Sequence, residues 1–197
     1  MEQKTEQKNQ SKKEKVIQAA IKLFSEQGYH DTAVSEIADE AEVAKGTVYW
    51  YFDSKEQLFW GIIVSELESL NTQLKKKLNA EHQSSIDKIE SVIRLYLEFF
   101  KNGKETAKMI QECSVNPGEY FYNEMYKLRN EAVDYLAEII KVGQKNGEIK
   151  EDINQEEVAN FILGSIFGSY NPHAYKLKDI EAKVDLVLDI LCNGIKA

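Results

Sequence analysis

Lys45, Gly46 and Thr47 are consecutive, and after Val48 come Tyr49, Trp50, Tyr51 and Phe52. On one short helix, these residue types can read DNA. A lysine ammonium reaches a base acceptor or a phosphate, and a threonine offers base edges a hydroxyl and a methyl. Glycine lets the backbone come close to the duplex. Tyr49 and Tyr51 can point phenols outward if Val48 and Phe52 form the inner face. Lys55, opening the next segment, joins a cation to the free N–H groups of a helix N-terminus, which suits a phosphate. Thr32, just ahead of the previous segment, can cap a helix and donate to a phosphate. Taken singly, each has a plainer reading as core aromatic or solvated charge. Their grouping is what points to DNA.

Such side chains need a scaffold. Val16, Ile17, Ala20, Ile21, Leu23 and Phe24 recur at helical spacing, and Gly28 follows as a stop. A short helix over about 34–40 buries Ile37, Ala38 and Ala41, and another over about 45–51 buries Val48 and Phe52. The pair, with its short break, reads as a helix-turn-helix. Asp53 and Ser54 look like the cap of a long helix carrying Leu58, Phe59, Ile62, Ile63, Leu67, Leu70, Leu74 and Leu78, running from about 54 to 78. Further helices are expected at about 84–101, 104–114, 118–146, 154–171 and 179–195, separated by Asn- and Gly- or Pro-containing breaks. No alternating strand pattern appears, so the expected class is all-α. The expected organisation is a flexible tail over 1–10, a helix-turn-helix domain over 11–56 and a larger helical domain over 57–197.

Composition agrees with helix: two prolines and ten glycines in 197 residues, with abundant Glu, Lys, Leu, Ala and Gln. Apolar runs break within a few residues, so no membrane span is expected, and the charged N-terminus has no apolar core of a signal peptide. Cys113 and Cys192 make neither a metal-type spacing nor a disulfide framework, which suits a cytoplasmic protein. The net charge of −8 runs against a DNA partner. Residues 1–55 carry −2 of it, and 1–15 carry +2. Phosphate contact depends on local placement rather than on net charge. Salt-sensitive binding of modest nonspecific strength is therefore expected.

With those residues in view, the chain resembles the TetR family of transcriptional regulators over residues 12–60. The resemblance rests on Gly28-Tyr29, Thr32, Ile37-Ala38, Ala41, Val43, Gly46, Tyr49, Phe52, Lys55-Glu56 and Leu58. It implies a two-domain all-α fold, a homodimer on a pseudo-palindromic operator of double-stranded DNA, and release of the DNA when a small-molecule effector binds. Three positions depart from the family pattern: Ala33 stands for a second Thr, Glu42 for a Gly and Ala44 for a Ser. Glu42 falls where positive φ is wanted, at a cost of about 1 kcal/mol. Ala44 forfeits a cap worth roughly 1 kcal/mol. Weaker or more salt-sensitive DNA binding is the expected result.

Two further sites are expected beyond residue 60. Aromatic and soft residues crowd the stretch 96–126, and Tyr96, Phe100, Met109, Cys113, Tyr122 and Tyr126, with Phe167, are candidates to line the pocket that the resemblance implies. Plain core is the competing reading of the group. In the last two helices, Phe161, Gly164, Ser165, Gly168, Val184, Leu188 and Leu191 are candidates for a dimer interface, with small residues four apart admitting a second helix. His30, His82 and His173 are scattered without metal or catalytic spacing, so no enzyme, metal or cofactor is expected. The function expected is a ligand-responsive repressor. Its alternatives are an activator, or a ligand-binding or interaction module with weak or lost DNA binding.

Overall fold

The computed structural model describes residues 2–78, 83–112, 118–169 and 180–195. Among them are nine α-helices and no strand: α1 (Glu2–Asp31), α2 (Val34–Glu40), α3 (Lys45–Tyr51), α4 (Lys55–Leu78), α5 (Ser85–Asn102), α6 (Lys104–Glu112), α7 (Gly118–Lys145), α8 (Gln155–Ser169) and α9 (Ile180–Ile195). The all-α expectation holds, and α5 and α7 end at the expected Asn102-Gly103 and Asn146-Gly147; the breaks expected at Asn116-Pro117 and Asn171-Pro172 lie outside the described residues. At Gly28 the helical backbone of α1 is interrupted (φ 86°, ψ 166°), a conformation natural only to glycine.

One expectation changes at the N-terminus. Residues 1–10 read as a flexible tail, yet α1 starts at Glu2. The stretch holds Glu, Gln and Lys with no Gly or Pro, so a helix nucleated by the amphipathic part beyond Ser11 can extend backward through it.

The described residues fall into two compact units, the first within 1–66 and 104–124 and the second within 67–103 and 125–197. In the first, α1 packs on α2, α3 and α6. Its core is built from Val16, Ala20 and Phe24 of α1, Ile37 and Ala38 of α2, Val48 of α3 and Leu58, Phe59 and Ile62 of α4, all buried. Burying an aliphatic or phenyl side chain of this size contributes about 1.5–3 kcal/mol, which lets helices as short as α2 and α3 persist. Lys108 donates from Nζ to the Ser25 carbonyl at 2.6 Å and ties α6 to α1.

The second unit packs α5 on α8 and α9. Its interior includes Leu70, Leu74, Ile89, Ile93, Leu97, Leu136, Ile140 and Ile162. Ser84 caps α5 by accepting from the Asp87 amide at 3.1 Å. Asn71 reaches the Leu128 carbonyl at 2.8 Å, a buried polar contact that joins α4 to α7 within this unit. Arg94 of α5 binds Glu90 at 3.0 Å and also Glu181 of α9. Those two carboxylates hold its guanidinium above its ordinary range.

Candidate nucleic-acid interface

The site begins with the turn between α2 and α3. The Ala41 amide donates to the Ile37 carbonyl at 3.0 Å, Glu42 to Asp39 at 3.1 Å and Val43 to Ala38 at 2.9 Å, closing α2 tightly. Glu42 sits at φ 55°, the one non-glycine residue with positive φ among those described. The left-handed turn expected there is present, and a glutamate fills it. Lys15 of α1 lies 3.6 Å from its carboxylate. Both side chains are largely exposed, so this pair stabilises little.

Helix α3 then presents two faces. Val48 is buried, only 2% exposed, and anchors the helix on α1 and α2. Around it Lys45 and Gly46 are exposed, Thr47 is half-buried, and Tyr49 is 46% exposed. The Lys45 ammonium lies 6.0 Å from the Tyr49 ring centroid, one turn along. Gly46 has ordinary helical φ, and a Cβ built there would meet no atom within 4 Å. Neither backbone nor packing therefore requires glycine at this position. No side chain caps α3 at Ala44, in accord with the missing Ser.

Trp50 was not among the candidates, yet it is the most exposed large apolar residue of the first unit after Tyr120, at 68%. It lies four residues after Gly46, on the same face, so helical spacing alone could have included it. Tyr51, by contrast, is half-buried and stands edge-on to Trp50, with ring centroids 4.6 Å apart.

Thr32 and Lys55 need correction as DNA-facing groups. Thr32 is 1% exposed, and its hydroxyl donates to the Gly28 carbonyl at 2.7 Å. It closes the end of α1 and has no face toward solvent. Lys55 donates from Nζ to the carbonyls of Tyr29 at 2.8 Å and Thr32 at 2.9 Å. Its cation thus satisfies the end of α1, where the helix dipole is negative. Ala33 departs from the family pattern without leaving α2 open. Its amide donates to the Glu36 carboxylate at 2.8 Å, the half of a capping box that needs no hydroxyl.

The other candidates divide sharply. Tyr96, Phe100 and Met109 are buried core, 3%, 2% and 3% exposed, and burial pushes the Tyr96 phenol above its ordinary pKa. Tyr122 and Tyr126 are 59% and 56% exposed, so they line no enclosed pocket in this structure. The consecutive aromatics from Tyr120 cannot share one side of a helix, and here only Phe121 turns inward, against Trp60. Cys113 lies outside the described residues. Phe167 and Gly168 belong to α8. Of the dimer candidates, Phe161 is 60% exposed, Gly164 is exposed and Ser165 half-buried. Val184 and Leu191 are buried instead, at 0% and 3%, in the second unit's own core, with Leu188 between the extremes. Among the described side chains, the large apolar residues that α9 leaves open are Leu186 and Ile190, 50% and 59% exposed.

Residues 16–60, which hold this interface, match the family described as bacterial regulatory proteins, tetR family. Across a longer stretch the chain is 31% identical over 142 residues to an uncharacterized HTH-type transcriptional regulator, YhgD, of Bacillus subtilis, covering 71% of this chain and 72% of that one. The chain belongs to the TetR family. It is a DNA-binding transcriptional regulator with an N-terminal helix-turn-helix followed by a helical C-terminal region. Among its TetR-family relatives, the fatty acid metabolism regulator protein of B. subtilis is 26% identical over 189 residues, 91% of this chain and 93% of that protein. A solved structure of FadR from B. subtilis in complex with stearoyl-CoA superposes with a TM-score of 0.78 at 25% identity, covering 91% of this chain and 97% of that one. Among the described residues no helix is long and apolar enough to cross a membrane, and no group of three or more His, Cys, Asp or Glu is placed to hold a metal ion.

Proposed function

We propose that this regulator is a repressor that binds a pseudo-palindromic operator as a homodimer and lets go when a largely apolar small molecule binds. The observation that carries the DNA contact is the outer face of α3, where Lys45, Gly46, Tyr49 and Trp50 stand exposed around a buried Val48. Lys45 grips a phosphate or a guanine edge, Thr47 reads base edges, and the aromatic pair packs against the sugar-phosphate backbone. Two such helices one helical turn of DNA apart require two-fold symmetry. Phe161 with Gly164 on α8, and Leu186 with Ile190 on α9, are the apolar surface available for that pairing.

The effector class favoured is a long-chain acyl-CoA. The fatty acid metabolism regulator of B. subtilis, whose FadR structure holds stearoyl-CoA, aligns with most of the chain. The DNA-bound role puts the protein in the cytoplasm. An effector shifts the protein away from the operator only if it binds the released state more tightly. The test is a gel shift with DNA from upstream of the protein's own gene, repeated with stearoyl-CoA. A shifted band that disappears with stearoyl-CoA but not with free CoA supports the whole reading. A shift indifferent to both removes the acyl-CoA assignment, and no shift at low salt removes the operator reading.

A further inference from the structure

We infer that the first unit carries a binding site for a flat aromatic amine, in a cleft formed by α1, α3, α4 and the start of α7. The cleft has a volume of about 350 Å³, and its lining includes Lys13, Tyr51, Phe52, Gly61, Glu66 and Phe121. That volume is within the range of small-molecule sites. Tyr51 at the end of α3, Phe52 just after it, and Tyr120 and Phe121 at the start of α7 line it with aromatic rings, which suit a flat ring.

Gly61 is the first independent sign. It stands inside α4, where glycine is the poorest helix former except proline. Its φ is not in the left-handed region, and a Cβ built there would meet nothing within 4 Å. The fold does not need glycine at this position. What its missing side chain does is leave the cleft open.

Charge selects the ligand. Glu66 is half-buried, and its carboxylate makes no hydrogen bond or ion pair with the described residues. Lys13 also borders the cleft, but it is exposed and its ammonium already rests 5.7 Å from the centroid of the Phe52 ring. A counter-ion at exposed Lys13 gains little against water. A cation at the less hydrated Glu66 gains more, because screening is weaker there. A ring between the aromatic walls, with an ammonium on a short arm toward Glu66, satisfies both features.

Calorimetric titration of the full chain, without DNA, tests this with 2-naphthylmethylamine, 2-naphthalenemethanol and 2-naphthylacetate. The amine should bind at least about fivefold more tightly than the alcohol, the worth of one partly screened ion pair, and the acid most weakly. Glu66→Gln should erase the amine's advantage and leave the alcohol's affinity unchanged. Gly61→Leu should abolish binding of all three. Gly61→Ala, which cannot harm the helix, should weaken them while the thermal midpoint holds or rises. The inference is overturned if the acid binds as well as the amine or none of the probes binds. It also falls if Glu66→Gln keeps the preference, or if either folded Gly61 variant binds like the parent. Because the cleft borders the end of α3, amine and operator should change each other's affinity by a common factor. That coupling rests on the operator reading; the titration without DNA does not, so the two can fail separately.

Discussion

The Lys55 ammonium lies 4.4 Å from the centroid of the Tyr29 ring and 2.8 Å from the Tyr29 carbonyl oxygen. One side chain thus fastens the start of α4 to the end of α1 by a cation–π contact and by hydrogen bonds to the carbonyls of Tyr29 and Thr32. Hydrogen bonds to a charged group contribute roughly 1.5–3 kcal/mol. Lys55→Met should therefore lower the stability of the protein by about 2 kcal/mol in urea titration. Its operator affinity, measured cold where the variant stays folded, should be unchanged. If instead stability holds and the slope of log affinity against log salt falls by about one, Lys55 grips a phosphate after all.

Gly46 separates folding from function in the opposite direction. The fold leaves space for a side chain there, and alanine is a better helix former by about 1 kcal/mol. Gly46→Ala should raise the thermal midpoint and weaken operator binding, because the added methyl occupies the space in which the duplex approaches. Equal affinity for parent and variant on the same operator would place the DNA elsewhere.

Glu42 combines strain and charge at the turn into α3. Replacing it with glycine removes a left-handed glutamate at a cost of only the exposed Lys15 pair. Stability should rise by about 1 kcal/mol. Ala44→Ser should add roughly 1 kcal/mol more by capping α3. The double variant should also bind its operator more tightly, most visibly at low salt, since an anion has left the DNA-facing turn. An unchanged affinity would show that neither departure weakens the parent.

What the sequence makes legible follows from the range over which each interaction acts. The two faces of α3 follow from spacing alone, since Val48 and Tyr49 differ by 100° around a helix wherever the helix sits. The positive φ of Glu42 is foreshadowed by the Gly that the TetR family pattern has at that position. Lys55 is different, because the carbonyls it serves lie 23 to 26 residues earlier in the chain, and no local pattern announces them. Only the packing of α1 brings them together. In α9 the difficulty is excess: Val184, Leu186, Val187, Leu188, Ile190 and Leu191 are apolar almost all the way round. Periodicity cannot then pick the core stripe, and Val184 and Leu191, candidates for the dimer interface, fall on the buried side. The aromatic stretch after Tyr120 fails for a related reason. Ring content marks apolar surface without saying which rings point inward.

Tyr96 gives the chain a measurable response to alkali. Its phenol is buried, and burial raises its pKa above the ordinary value near 10. The folded chain therefore holds this proton after the unfolded chain has released it. The stability tied to it is complete below pH about 10 and falls as pH rises further, by about 1.4 kcal/mol per pH unit for one group. Subtracting the urea-derived stability of Tyr96→Phe from that of the parent removes the contribution of all other titrating groups. The difference should be flat up to pH about 10 and then slope in favour of the variant. A flat difference throughout would mean the phenol ionises as easily in the folded chain as in the unfolded one.

The proposed dimer rests on two stripes of α9 that behave differently. Val184 is fully buried and belongs to the core of the second unit, whereas Leu186 and Ile190, half and more exposed, lie four residues apart on the outside. Leu186→Glu should leave the unfolding free energy of the monomer within about 0.5 kcal/mol of the parent, as for a surface change, yet shift the chain toward monomer in sedimentation at micromolar concentration. Operator affinity should fall with it, because one head reads only a half-site. Val184→Ala should do the reverse, costing roughly 1–2 kcal/mol of stability from lost core methyls while leaving the association constant alone. Should Val184→Ala dissociate the dimer and Leu186→Glu leave it intact, the partner sits on another face.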